Sequence, residues 1–287
     1  MSLVSETAAW ANRLVIRAAA LKGVRKAARA VFGLLTPGHD IKVAFPGYAL
    51  YVRTPDRLIA ALLCKYSFES SLEVEIYRTR IKPGMTVLEI GANVGFFTLL
   101  FSGLAGEKGS VLAFEPDPDN FRLLRKSVTE AGRGNTVYRQ AAVSDKSGAV
   151  KLYIYEENRG DHCIYDCGDG RGSVDVEAVP IDSALGPEAR VDFIKMDIQG
   201  AEYRALLGME RTIKNSPALC MLCEFSPGLV RKAGDSPEAL LQKLLEYGFS
   251  LKYLDDSSHS VRSASPEELL ALCPGEKYLN LLLEKTA

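Results

Sequence analysis

Apolar residues between positions 10 and 35 recur with the spacing of an α-helix, and basic residues occupy a different face of that helix. The apolar face consists of Trp10, Leu14, Leu21, Val24, Ala28, Phe32 and Leu35. The basic face consists of Lys22, Arg25, Lys26 and Arg29. Pro37 and Gly38 end the helix, and residues 43–53 have the pattern of one short strand. Residues 1–80 are therefore predicted to form an N-terminal amphipathic helix and a connector.

After Lys82 the pattern changes: short β-branched runs alternate with helical periods, as in a parallel sheet covered by helices. The predicted strands are Thr86–Ile90, Ser110–Phe114, Thr136–Arg139, Asp192–Met196, Leu219–Phe225, Ser250–Leu254 and Tyr278–Leu283. The predicted helices are Val94–Leu104, Asp119–Ala131, Ala201–Lys214 and Pro237–Tyr247. Asp117 and Pro118 mark a helix start as N-cap and first helical residue. Residues 81–287 thus predict one doubly wound α/β domain.

Residues 144–182 interrupt this alternation. They predict an inserted β-hairpin, Val150–Tyr155 and Val174–Ile181, around a glycine-rich loop. Loops of this length inside a compact domain are commonly functional, so the insert is a candidate lid over a binding site.

The composition is that of an ordinary globular protein: 287 residues, 47% hydrophobic, 25% charged and a formal net charge of -1. A chain without basic excess is a poor nucleic-acid ligand. The uncharged run from Ile90 to Gly106 contains four glycines and is shorter than the ~20 residues of a membrane span, so no transmembrane helix is expected. Six cysteines in a chain of this length favour reduced thiols and a cytoplasmic location.

The sharpest motif follows the first predicted strand and opens the first helix. It reads Glu89-Ile-Gly91-Ala92-Asn93-Val-Gly95. Dinucleotide sites place a glycine where Asn93 stands, which weakens the prediction of a nicotinamide cofactor. The pattern suits an amino acid group instead, with backbone N–H groups of the turn receiving its carboxylate and Glu89 its ammonium.

A second motif, Glu115-Pro116-Asp117, ends the second predicted strand 20 residues after Gly95. A carboxylate at this position accepts hydrogen bonds from both hydroxyls of a ribose. A ligand that joins a ribose to an amino acid suggests S-adenosylmethionine. A nicotinamide-dependent oxidoreductase stays open as an alternative, because it would use the same turn.

Six segments between Ile81 and Met209 resemble, in their order and spacing, the FkbM family of class I methyltransferases. They are VLEIGANVGFFTL, VLAFEPDPDNFRLL, QAAVSDKSGAVKLY, ENRGDH, VPIDSAL and DFIKMDIQGAE. The resemblance implies a Rossmann-like sheet with strand order 3-2-1-4-5-7-6, with S-adenosyl-L-methionine as cofactor and S-adenosyl-L-homocysteine as product. It also implies methyl transfer to an oxygen of a small molecule or sugar.

The resemblance further implies a set of cofactor-binding residues. These are Glu89, Gly91, Ala92, Asn93, Gly95, Glu115, Pro116, Gln140, Ala141, Ala142 and Asp197. The first turn would hold the methionine part, Glu115 the ribose, and residues 140–142 would border the adenine. Many class I enzymes have an aspartate where Ala141 stands, so adenine recognition would rely on Gln140 and backbone groups.

The candidate catalytic residues are Asp197, His162, Glu202 and Glu224. Asp197 ends the fourth strand and would face the reactive end of the cofactor, where it or His162 would accept the proton of the hydroxyl. Each of the others has a plain structural interpretation as well. His162 suits a solvated loop, Glu202 the positive end of a helix dipole, and Glu224 a solvated strand end.

No metal centre is predicted, because His162, Cys163 and Cys167 lack a fourth ligand nearby. Cys220 and Cys223 point to opposite faces of a strand and suit core packing.

The expected partner is a small-molecule or sugar hydroxyl acceptor. Three interpretations of residues 10–35 stay open: packing on the main domain, an organellar transit peptide, or peripheral membrane contact, as in a non-catalytic membrane-associated protein.

Overall fold

The computed structural model describes residues 40–45, 48–53, 71–155 and 160–285. The chain divides into two compact units, Met1–Ser70 and Ser71–Ala287. In the first unit β1 (Asp40–Phe45) pairs antiparallel with β2 (Tyr48–Arg53), so the single strand predicted for this region is wrong. The predicted helix of residues 10–35 lies outside the described residues and stays a prediction.

The second unit is built on a main sheet whose strands alternate with helices. Its strands are β3 (Thr86–Ile90), β4 (Ser110–Phe114), β5 (Thr136–Arg139), β9 (Phe193–Met196), β10 (Cys220–Phe225), β11 (Phe249–Asp255), β12 (Ser260–Ser263) and β13 (Leu279–Lys285). Within the described residues their order is β12-β11-β13-β10-β9-β3-β4-β5. Counted from β3, this is the expected 3-2-1-4-5-7-6 arrangement with β12 added at one edge.

Helices connect the strands. They are α1 (Leu72–Arg80), α2 (Phe96–Ala105), α3 (Pro118–Glu130), α4 (Ile181–Ala184), α5 (Glu202–Leu207), α6 (Glu210–Asn215), α7 (Pro227–Lys232), α8 (Pro237–Glu246) and α9 (Pro266–Leu272). The predicted start of α3 is confirmed, since Asp117 accepts a 2.7 Å hydrogen bond from the Asn120 backbone N–H. None of the helices in the described ranges has the length and apolar character needed to cross a membrane.

The continuous helix predicted over residues 201–214 is wrong, because α5 ends at Leu207 and α6 begins at Glu210. Gly208 lies between them, and a Cβ atom there would be 2.1 Å from the Ser144 carbonyl oxygen. The helix is interrupted where its backbone passes directly over a neighbouring loop. The helical spacing of apolar residues in the sequence does not reveal this contact.

Helix α1 packs in the second unit, so the prediction that residues 72–80 belong to the N-terminal connector is wrong. Its Tyr77 is fully buried and meets Phe97, Phe101 and Phe193 edge to face, with ring centroids 4.8 to 5.8 Å apart. Such aromatic packing adds to the stability gained from burial alone. The helix therefore covers the face of the sheet on which β9 presents Phe193.

The insert forms a small sheet of its own. In the described residues β7 (Gly148–Tyr153) and β8 (Ser173–Val179) pair antiparallel, which confirms the hairpin, and β6 (Ala142–Val143) joins β8 in parallel. The predicted second strand is too long at its end, because Ile181 begins α4. Pro180, which has no backbone N–H, stands between the strand and the helix.

Candidate active site

The turn after β3 is shaped by two glycines and Asn93, all with positive φ. A Cβ atom on Gly91 would be 2.1 Å from the Asp197 carbonyl oxygen, so the turn passes directly over the end of β9. A Cβ atom on Gly95 would be 2.6 Å from Leu124 of α3. Positive φ favours glycine at both positions, and at Gly91 the close approach of the Asp197 backbone also leaves no room for a Cβ atom.

The amides of this turn are engaged within the protein. Gly91 and Ala92 both donate 3.0 Å hydrogen bonds to the Phe114 carbonyl, and Gly95 donates to the Ala92 carbonyl. The expectation that these amides receive a ligand carboxylate is therefore wrong for Gly91, Ala92 and Gly95. The turn instead fixes the end of β3 against the end of β4.

Glu89 is fully buried on β3 beneath the turn. Thr98 donates a 2.5 Å hydrogen bond to Glu89 Oε2, while Oε1 has no hydrogen-bond partner among the described residues. Burial raises the pKa of Glu89 to about 7. An unpartnered buried carboxylate oxygen suits a cationic donor such as an ammonium group, which is what the sequence analysis expects here.

Glu115 is held at the end of β4 with a fixed orientation. Its Oε2 accepts a 2.8 Å hydrogen bond from the Asn93 N–H, and its Oε1 accepts a 2.9 Å bond from the Asp117 N–H. Burial raises the pKa of Glu115, although these hydrogen bonds oppose the shift. Because each carboxylate oxygen accepts more than one hydrogen bond, the group retains acceptor capacity for ribose hydroxyls.

The three residues expected near the adenine differ in exposure. Gln140 has an exposed side chain, whereas the methyl groups of Ala141 and Ala142 are buried, Ala141 in the core of the main sheet and Ala142 in that of the small sheet. Pro116, between the strand end and α3, is half-buried. Side-chain contact with an adenine at this edge would therefore come from Gln140.

Lys195 is the central cation of the site, although it is not among the residues predicted from the sequence. It pairs with Glu89 across β3 and β9, and its Nζ lies 3.3 Å from Asp197 Oδ2. Burial opposes the charge of Lys195, but Asp197, Glu89 and Glu73 outweigh it and raise the pKa. The one signal in the sequence was a lysine in the otherwise apolar strand Phe193–Met196.

Gln199, also missed, joins the two acids at the ends of β9 and β10. Its Nε2 donates a 3.0 Å hydrogen bond to Asp197 Oδ1 and a 3.1 Å bond to Glu224 Oε1. Burial raises the pKa of Glu224 to about 9, and the negative charges of Asp197 and Glu202 add to the effect. The raised pKa therefore favours the protonated form of Glu224 beside Asp197.

Glu202 organises the loop between β9 and α5. Its Oε1 accepts 3.2 Å hydrogen bonds from the backbone N–H groups of Ile198 and Gly200. Burial raises its pKa to about 7. The carboxylate lies in the first turn of α5, as the helix-dipole interpretation expects, and it also supports the loop that carries Gln199.

His162 is buried, contrary to its interpretation as a solvated loop residue. The Tyr155 N–H donates a 3.0 Å hydrogen bond to His162 Nδ1, and Nε2 lies 3.5 Å from Asp117 Oδ2. In the described part of the chain, no hydrogen bond or ion pair joins His162 to the acids of β9, α5 or β10. The structure thus places His162 beside the Glu115 end of the site.

The insert contacts the site through Tyr165, whose hydroxyl donates a 2.9 Å hydrogen bond to the Gln199 carbonyl. Cys163 and Cys167 approach each other, with their sulfur atoms 2.6 Å apart. Across the residues that the structure describes, no group of three or more His, Cys, Asp or Glu side chains is arranged to hold a metal ion.

A comparison with known proteins shows which family this chain matches. Residues 89–251, more than half of the chain, match the family described as "Methyltransferase FkbM domain". The chain is 26% identical over 164 residues to the 31-O-demethyl-FK506 methyltransferase FkbM of Streptomyces tacrolimicus, covering 45% of this chain and 61% of that protein. It is 27% identical over 137 residues to a protein-L-isoaspartate O-methyltransferase of Methanococcoides burtonii, covering 48% and 60%.

The chain spans about three fifths of the length of these two relatives. Among solved structures, the methyltransferase FkbM of Methylobacillus flagellatus aligns with a TM-score of 0.44 and 16% identity, over 80% of this chain and 55% of that one.

Proposed function

Because the chain belongs to the FkbM methyltransferase family, we propose that it transfers a methyl group from S-adenosylmethionine to a hydroxyl oxygen of a small molecule or sugar. The observation that carries this proposal is the placement of four acids at one edge of the sheet. Glu89 and Glu115 lie at the ends of β3 and β4, and Asp197 and Glu224 at the ends of β9 and β10. Membership of the family supports the expectation of S-adenosylmethionine as the cofactor.

The residues on the β3 and β4 side fit the two polar ends of that cofactor. Glu115, already oriented by two backbone N–H groups, would accept the ribose hydroxyls. The unpartnered oxygen of Glu89 would receive the ammonium of the methionine part. His162 and Gln140 border this half, so we assign both to the cofactor side.

The residues at the ends of β9 and β10 would bind the acceptor and take up the proton of its hydroxyl group. When bound, S-adenosylmethionine supplies a methyl group on a positively charged sulfur, which makes transfer to oxygen an in-line displacement. Asp197 would accept the hydroxyl proton as the methyl group reaches the oxygen. Lys195 and Gln199 fix the two oxygens of Asp197, while protonated Glu224 adds no further negative charge.

Oxygen is favoured as the acceptor atom by the names of the two relatives, since both describe O-methyl chemistry. The site is consistent with oxygen, because a hydroxyl needs a proton acceptor within hydrogen-bond reach of its attacking atom.

Thermal unfolding with S-adenosylhomocysteine, and with NADH as the control, tests the donor half. A ligand that binds only the native state raises its stability by RT ln(1 + [L]/Kd), so a shift with S-adenosylhomocysteine alone is expected. Asp197→Asn tests the acceptor half: we expect kcat to fall at least about 100-fold while S-adenosylhomocysteine affinity changes little. Stabilisation by NADH alone, or full turnover in the Asp197 variant, would contradict the proposal.

A further inference from the structure

The glycine-rich loop of the insert contains two cysteines whose side chains meet. Cys163 and Cys167 are both free thiols, and their sulfur atoms lie 2.6 Å apart. A disulfide bond is about 2.05 Å long, so only a small movement separates this contact from a covalent bond. Because the two residues are four positions apart in the chain, their bond would close a short ring within the insert.

The two cysteines belong to different parts of the insert. Cys163 is joined to the small sheet, since its carbonyl accepts a 2.8 Å hydrogen bond from the N–H of Tyr153 at the end of β7. Ile164, the next residue, packs against the core of that sheet. Cys167 lies beyond it, outside any strand or helix. A bond between the two sulfur atoms would therefore fasten the loop to the small sheet.

Tyr165 links the cysteine pair to the candidate active site. Its carbonyl accepts a 3.2 Å hydrogen bond from Cys163 Sγ, and Cys167 Sγ lies 3.8 Å from the same oxygen. The hydroxyl of Tyr165 donates a 2.9 Å hydrogen bond to the Gln199 carbonyl. The side chain of Gln199 in turn donates to Asp197. A change at the two sulfur atoms is therefore two contacts away from the loop that follows β9.

The surroundings of the two thiols assign them different roles in forming a bond. Burial raises the pKa of Cys163 to about 12, and the hydrogen bond with Cys167 adds to this effect. The guanidinium of Arg171, with Nη1 4.0 Å from Cys163 Sγ, opposes the shift. Cys167 is only half-buried, so it is the thiol that a reagent in solution reaches first. Cys163 is placed to attack afterwards, from inside the loop.

We propose that Cys163 and Cys167 form a reversible disulfide by exchange with a small-molecule disulfide such as oxidised glutathione, and that this bond secures the insert against residues 197–201 through Tyr165. The Cys167 thiolate attacks one sulfur of the oxidant, whose S–S bond breaks, and one glutathione leaves and takes up a proton. Cys163 then gives its proton to solvent and attacks Cys167 Sγ, which releases the second glutathione. This inference is independent of the proposed methyl transfer.

Peptide mapping of the full-length protein, equilibrated with oxidised glutathione, tests the bond. Trypsin cleaves after Arg159 and Arg171, so one peptide, residues 160–171, contains both cysteines of the pair and none of the others. We expect this peptide to lose two hydrogen atoms, to resist alkylation, and to regain both thiols with dithiothreitol. Cys64, which lies outside the described residues, falls in a different peptide, so its reaction is measured separately.

Single variants separate the two roles. Cys163→Ser should stop at the mixed disulfide on Cys167, whereas Cys167→Ser should react at least about tenfold more slowly than the parent, because its remaining thiol is buried. Cys220→Ser is the matched control. Cys220 is another half-buried free thiol, on β10, and its variant should form the disulfide as the parent does. Thermal unfolding of the reduced proteins checks that each variant is folded.

Hydrogen–deuterium exchange measures whether the bond affects the loop after β9. In the parent, the amides of residues 197–201 should exchange at least about threefold more slowly in the oxidised protein than in the reduced one, because the closed ring limits movement of Tyr165. Tyr165→Phe lacks the hydroxyl that donates to Gln199. In this variant the disulfide should still form, but oxidation should no longer slow exchange in the loop.

Four results would overturn the inference. Two concern the bond in the parent protein: free thiols in the peptide of residues 160–171 under a large excess of oxidised glutathione, or a mixed disulfide as the final product. The other two concern the contact with the active-site loop: equal exchange of residues 197–201 in the oxidised and reduced parent, or the same slowing in Tyr165→Phe as in the parent.

Discussion

The backbone N–H of Asn93 donates a 2.8 Å hydrogen bond to the carboxylate of Glu115, 22 residues further along the chain. This bond joins the turn after β3 to the end of β4. The two motifs that the sequence offers as a methionine site and a ribose site are therefore one hydrogen-bonded unit. Loss of the Glu115 carboxylate would therefore remove a hydrogen bond that fixes the turn.

Glu115→Gln is expected to weaken S-adenosylhomocysteine binding by about 1–3 kcal/mol, because an amide cannot accept at both side-chain atoms. Titration calorimetry measures the affinity. Glu177→Gln is the matched control, since Glu177 is exposed and pairs with Arg139 on the surface. Equal affinity in the Glu115 variant and the parent would remove Glu115 from the ribose site.

Gly91→Ala is expected to destabilise the fold by at least about 3 kcal/mol, because a methyl group cannot fit 2.1 Å from the Asp197 carbonyl oxygen. Gly84→Ala serves as the control. Gly84 has a similar φ of +92°, and a Cβ atom there has no neighbour within 4 Å, so that variant reports the backbone strain alone, about 1 kcal/mol. Urea denaturation measures both. Similar losses in the two variants would show that the turn moves away from β9 easily.

Glu224 is expected to make the protein less stable as pH rises. The pKa of its carboxyl is about 9 in the fold and near 4.5 when unfolded, so the native state holds the extra proton between these values. Stability therefore falls as pH increases through that window. Glu224→Gln removes this loss, and its unfolding free energy should exceed that of the parent by at least about 1 kcal/mol more at pH 9 than at pH 5. A difference that does not change with pH contradicts a protonated Glu224.

The raised pKa of Glu224 also predicts that S-adenosylmethionine and S-adenosylhomocysteine release different numbers of protons when they bind. A positive sulfonium beside Glu224 lowers the pKa of its carboxyl, so binding of S-adenosylmethionine at pH 8 should release up to about one proton more than binding of S-adenosylhomocysteine. Calorimetry in buffers with different ionisation enthalpies counts the protons. In Glu224→Gln the difference in proton release between the two ligands should become smaller. Equal release in the parent protein would place the sulfur away from Glu224.

Seven strands of the main sheet and the start of α3 were predictable because their signals are local, whereas the edge strand β12 was not predicted. Asp117 and Pro118 fix a helix start within two residues, and the apolar runs of the buried strands need no knowledge of their neighbours. The acids of the site were predictable for a related reason. Glu89, Glu115 and Asp197 each occupy or follow the end of a parallel strand, and such ends share one edge of a sheet.

Lys195, Gln199 and Tyr165 were not predictable because their roles depend on residues far away in sequence. Lys195 pairs with Glu89, which is 106 residues distant. Gln199 reaches both acids from a backbone with a φ of +56°, a conformation that no local pattern indicates for glutamine. The break at Gly208 likewise arises from a contact with Ser144, in the preceding insert.

Strand β13 lies between β10 and β11, although it follows both in the chain. During synthesis on the ribosome, β3, β4, β9 and β10 leave the exit tunnel before β13 does. Until β13 arrives, β10 and β11 each present an open strand edge, and such edges invite pairing with other chains. The nascent protein can thus pair β3, β4, β9 and β10 early, whereas β10 and β11 are joined only by this late insertion.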